Sequence, residues 1–156
     1  MIHEQIIRVL RDPDQELATD SRNTSLRSFR DYVGANVYLG RIPDGVMANY
    51  ACVIKPIAVE RDYSLAGERD VVSSSLQIDV YANGWDGSTR AIELHEYIRL
   101  ALSSYIGTLD DVEVYNAYIS RESLDVSSII GSENWEFRYS VDWTFQYAQE
   151  VIASNA

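Results

Sequence analysis

Proton transfer and nucleophilic attack in this 156-residue chain would fall to His3, His95, Cys52 and a few carboxylates that lie close in sequence. A serine or cysteine nucleophile needs a histidine within hydrogen-bond reach. His95 lies beside Glu96 in a stretch of helical periodicity, which reads as a helix-surface or core-edge histidine. Cys52 sits in a β-branched run, the setting of a small buried hydrophobe. Asp110 and Asp111 are consecutive, and such pairs in turns are more often solvated loop charges than a general acid and base. Asp79, Asp86 and Glu93 could approach a cation, but the alternating oxygen ligands of an EF-hand are missing. No GxxxxGK[ST] or GxGxxG run offers a phosphate cradle. The sequence therefore assigns no catalytic, cofactor-binding or metal-ligating residue.

The elements that would position these groups follow from periodicity. Ile2, Ile6, Val9 and Leu10 recur at helical spacing until Asp12-Pro13-Asp14 ends the pattern. Residues 14 to 24 are polar, after which Leu26, Phe29, Tyr32 and Val33 predict a second short helix ending at Gly34. Val37 and Leu39 alternate as in a strand, Ile42-Pro43-Asp44-Gly45 supplies a turn, and Ala51 to Val59 reads as a strand. Pro56 lacks a donor, which points to an edge strand or a bulge. The charged and Ser-rich residues 60 to 74 read as a long connection, and Leu76, Ile78 and Val80 as the next strand. Ser88 is the expected N-cap of a helix whose apolar stripe runs through Ala91, Leu94, Ile98, Ala101, Leu102 and Tyr105. Val112 to Ile119 is β-rich, and 121 to 134 reads as a long hairpin loop.

The closing segment carries the clearest pattern. Trp135, Phe137, Tyr139, Val141, Trp143, Phe145 and Tyr147 occupy the odd positions, with polar residues between them. This strand should lay its odd face on a helix and could project at one end. The whole order predicts a single α+β domain over 1–156, an antiparallel or mixed sheet with helices packed on one face.

Charge narrows the partners. The formal net charge is −11, from 13 basic and 24 acidic residues, with no basic stripe for a phosphate backbone. A lone cysteine excludes an intrachain disulfide, and Met1-Ile2-His3-Glu4-Gln5 has neither a secretory pattern nor a membrane anchor, so the expectation is a cytoplasmic chain with no membrane partner. Asn23-Thr24-Ser25 matches a glycosylation acceptor, which without a secretory route is a chance match.

Taken in order, these features resemble the tail-completion or tail-terminator proteins of long-tailed bacteriophages. The resemblance rests on the short N-terminal helix, on Val37-Tyr38-Leu39 leading through Ile42-Pro43-Asp44-Gly45 to the strand from Tyr50 to Ile57, on Leu76 to Ala82 running into the helix from Ser88, and on the strand Trp135 to Tyr147. The polar stretch 12 to 24 is longer than that family usually shows. The resemblance implies a ring, usually of six copies, that ends the tail tube and joins it to the head-proximal connector or neck, with DNA passing through unbound. It places the protein in the host cytoplasm during assembly and then in the virion. Candidate interface residues are Arg61, Asp62, Tyr63, Glu68 and Arg69 in the long connection, with Glu136, Arg138 and Asp142 on the even face of the last strand. The competing reading is a small ligand-binding or enzymatic α+β domain built on His95, Glu96 and the Trp85 loop.

Overall fold

The computed structural model describes residues 2–46, 48–64, 67–128 and 135–148, with the backbone alone described at 62–64, 67–70, 126–128 and 135. Among the described residues three helices, α1 (Ile2–Arg11), α2 (Asp20–Val33) and α3 (Gly87–Leu102), lie on one face of a six-stranded sheet. The strands are β1 (Val37–Leu39), β2 (Tyr50–Ser64), β3 (Gly67–Asn83), β4 (Gly107–Leu109), β5 (Val112–Ser128) and β6 (Trp135–Ala148). Their spatial order is β1-β2-β3-β6-β5-β4. Among the described residues only the β1–β2 pair is parallel, so the α+β expectation resolves to a mixed sheet.

The apolar stripes fill the space between the layers. Ile6 and Leu10 of α1, Leu26 and Phe29 of α2, and Leu94, Ile98 and Leu102 of α3 are buried against Ile54, Leu76, Ile78, Val80, Val141, Trp143 and Phe145. Burying a side chain of this size contributes about 1.5 to 3 kcal/mol, so this layer supplies most of the drive to fold. The odd face of β6 is thus the helix-covered face, as its alternation predicted.

Several boundaries differ from the sequence reading. Residues 60 to 74 are not a connection: β2 and β3 continue as one hairpin, from Tyr50 opposite Ala82 to Ser64 opposite Gly67. Ser74, taken as loop-forming, is 3% exposed, and its hydroxyl lies 2.8 Å from the Tyr147 hydroxyl. Much of 121 to 134 is likewise strand, since β5 pairs with β6 as far as Ser128 opposite Trp135. The rest of that expected loop lies outside the described residues. β6 does not project: it pairs with β3 over Glu136 to Ala148 and with β5 over Trp135 to Tyr147, which makes it interior.

Helix ends move for identifiable reasons. α2 starts inside the polar stretch, where buried Asn23 accepts from the Leu17 N–H at 2.6 Å and donates to the Leu17 carbonyl at 3.1 Å. Those bonds occupy the amide that a glycosylation acceptor would need free. Gly34 ends α2 at φ 58°, a left-handed conformation that suits glycine. α3 has Asp86, not Ser88, at its N-cap and stops at Leu102, so Tyr105 is a buried loop residue rather than part of the stripe. Its hydroxyl donates to the Thr108 carbonyl at 2.6 Å and accepts from the Ala18 N–H at 3.1 Å.

Candidate interaction surface

The groups that chemistry would need are each committed elsewhere. His95, on the inner side of α3, is 2% exposed, more buried than a surface or core-edge histidine. It stacks on Tyr139 with centroids 5.0 Å apart, and Nδ1 lies 3.7 Å from Glu122 Oε1. Burial pushes its pKa down to about 4, with Glu96 offsetting part of that effect and Arg99 adding to it. The imidazole is therefore neutral near pH 7, and its Nε2 has no hydrogen-bond partner among the described residues. Glu96 instead holds Arg99 one turn along α3, and that bond lowers its pKa.

Trp85 does not join them. It is 92% exposed in the β3–α3 turn, and about 12 Å of helix rise separates the start of α3 from His95. Cys52 is fully buried on the helix-facing side of β2, and burial, with Asp79 adding, pushes its thiol pKa upward. Asp110 and Asp111 are structural after all: Arg8 pairs with Asp110 at 2.6 Å and Gln5 donates to Asp111 at 3.0 Å, which fastens α1 to the β4–β5 turn. Asp79, Asp86 and Glu93 do not converge. Asp86 and Glu93 flank Arg90 at 3.6 and 2.7 Å, and Tyr97 donates to Glu93 at 2.7 Å. Among the described residues no group of three ligating side chains could hold a metal ion.

The sheet face opposite the helices has a different character. Across its centre Val53, Asp79 and Ser140 stand in one cross-strand row and are 1%, 0% and 6% exposed, although no helix covers them. The Lys55 ammonium lies 2.8 Å from Asp79 Oδ2, reaching diagonally because its own cross-strand neighbour is Gln77. Oδ1 of Asp79 and Oγ of Ser140 have no hydrogen-bond partner among the described residues. Burying polar atoms without partners is costly, and these atoms lie beneath the surface of the face, where the Lys55 ammonium offsets part of the cost for Asp79. Arg138 donates to Asp125 at 2.7 Å across β6 and β5. A cavity of about 320 Å³ opens here, lined by residues including Gln77, Arg121, Asp125, Arg138, Ser140 and Asp142.

Of the eight expected interface residues, Arg138 and Asp142 share this polar cavity. Glu136 lines a separate cleft of about 630 Å³ with Tyr50, Tyr81, Asn83 and Asp86, next to exposed Trp85. Arg61, Asp62, Tyr63, Glu68 and Arg69 belong to the β2–β3 hairpin rather than to a loop. The side chains of Asp62, Tyr63, Glu68 and Arg69 lie outside the described residues. In the sequence Asp79 reads only as a cation ligand and Trp85 only as part of the competing site, while Ser140 draws no reading. The available signal for Asp79 was an acid in mid-strand, with the chain's one lysine in the strand before it.

No family model matches this chain, and no curated protein does. Among solved structures, a chain of the virion of a native gene transfer agent (GTA) particle superimposes with a TM-score of 0.59 at 16% identity, covering 83% of this chain and 92% of that one. A second solved structure covers 82% of this chain and 98% of its own, with a TM-score of 0.40 at 13% identity. The first likeness shows a shared fold.

Proposed function

We propose that this chain is a structural subunit of a phage-type particle, forming a ring that ends the tail tube and joins it to the head-proximal connector. The observation that carries this reading is the fold it shares with a chain of a gene transfer agent virion, 92% of which is covered. Three further features support it. The groups of the competing enzymatic reading are dispersed, with His95 buried and neutral and Trp85 a separate exposed tip. The sheet has an open polar face around Arg121, Asp125, Arg138 and Asp142, suited to a neighbour. The net charge of −11, multiplied over a ring, repels DNA phosphates and lets the duplex pass without sticking.

In this reading Arg138 and Asp142 meet a neighbouring subunit or the tube, and the β2–β3 hairpin with Arg61 to Arg69 reaches along the ring. Assembly takes place in the host cytoplasm and the finished protein sits in the virion. Native mass spectrometry and negative-stain images, of the protein alone and with purified tail tubes, test the proposal. The expected result is a six-copy ring on one tube end. A monomer that ignores tubes and holds a small molecule tightly would sink it.

A further inference from the structure

The two margins of the sheet are built differently. β1 covers only Cys52 to Ile54 of β2, and β4 covers only Val112 to Val114 of β5, so both long strands outlast their caps. Beyond β1, β2 is blunted: Pro56 offers no N–H, and bulges at Pro56/Ala58 and Arg61/Tyr63 break its register. β5 has no proline, and from Arg121 to Ser128 it runs in unbroken register with β6. Among the described residues no strand pairs with the outer edge of that run. An unguarded edge of this kind is a template for strand addition.

The side chains along the run select the occupant. Arg121, Ser123 and Asp125 share the polar face, since they stand opposite Asp142, Ser140 and Arg138 of β6. Glu122 and Leu124 point to the helix side, and Leu124 is 40% exposed. If a second β5 lies antiparallel along this edge and both faces stay continuous, the register centred on Ser123 sets Arg121 opposite Asp125 of the second copy, and Asp125 opposite its Arg121. Shifting the centre by one residue loses both pairs. Asp125 accepts from Arg138 at Oδ2, and Arg121 has no ion-pair partner among the described residues. The segment is thus complementary in charge to its own reverse.

We propose that the outer edge of β5, over Arg121 to Asp125, is a two-fold docking site for the β5 edge of a second copy of this chain. The contact is isologous and closes at two copies, unlike the head-to-tail contacts that build a ring, and it stands independently of the proposed role. Two such charge pairs turned repulsive should weaken association by about tenfold or more.

Sedimentation over a range of concentrations tests this with Arg121→Asp and Asp125→Arg. The parent is expected to show a two-copy step, and each variant to need at least about tenfold more protein for it. An equal mixture of the two variants should regain the step, because Asp at 121 then faces Arg at 125. A parent with no two-copy step, variants that associate like the parent, or a mixture that stays apart would each overturn the proposal. Hydrogen exchange on the unmodified protein is a second readout that needs no variant. Amides within 121–125 should slow as concentration rises, and rates independent of concentration would contradict the pairing.

Discussion

The two faces of β6 put the same strand to opposite uses. On the odd face Val141, Trp143 and Phe145 are fully buried against the helices, and Trp143 and Phe145 stack with centroids 5.7 Å apart. On the even face Arg138, Asp142 and Thr144 remain partly open, Ser140 is nearly closed off, and the cross-strand ion pair Arg138–Asp125 is exposed at its rim. Apolar burial is worth kilocalories per side chain, whereas exposed ion pairs contribute about 0 to 1 kcal/mol. One face therefore holds the domain together, and the other is free to be shaped by its neighbours.

The largest effect that could break this contrast is truncation on the odd face. Phe145→Ala or Trp143→Ala should cost about 3 to 5 kcal/mol, a large share of the roughly 5 to 15 kcal/mol typical of a domain. Chemical denaturation measures this, and a loss below about 1 kcal/mol would mean that the odd face is not the core.

The next effect appears as pH dependence. The native pKa of His95 is held down to about 4 against an unfolded value near 6.5. Between those values the unfolded chain takes up a proton that the native state refuses, so stability falls as pH drops from about 6.5 to 4. The full effect is about 3 kcal/mol. His95→Leu should flatten that part of the stability curve relative to the parent. Parallel curves for the two proteins would show that His95 titrates normally.

Gly87 sharpens the contrast where α3 leaves the sheet. A Cβ there would sit 2.9 Å from the Ala82 carbonyl oxygen and run into the Phe137 ring. Gly87→Ala should destabilise by about 1 to 3 kcal/mol, seen as a lowered melting temperature, because neither the backbone carbonyl nor the packed ring yields easily. The smallest effect belongs to the even face. Arg138→Ala removes a pair whose side chains are 40% and 54% exposed, and the melting temperature should move by only a few degrees at most.

The same contrast explains what the sequence could reveal. β6 was legible because seven odd positions in a row are apolar and period two has one structural meaning. The helices from Ile2 and through α3 were legible for the same reason at period 3.6. The outer half of the β2–β3 hairpin was not, because Ser73, Ser74 and Ser75 have weak local preference and become strand through partners distant in sequence, among them Gln146, Phe145 and Thr144. α2 begins early through a side-chain bond from Asn23 to Leu17, which no periodicity records. The buried Asp79 was hidden because its position alternates as a solvent-facing one, and its burial arises from neighbours on the two flanking strands, β2 and β6.

The central claim, that one face carries stability and the other carries assembly, is tested most directly by a variant altered on the even face alone. The double variant Arg138→Ala with Asp142→Ala should be compared with the parent for melting temperature and for ring formation on tail tubes. The account predicts a melting temperature within a few degrees of the parent and loss of rings on tubes. Rings formed as efficiently as by the parent, or a double variant that no longer folds, would contradict it.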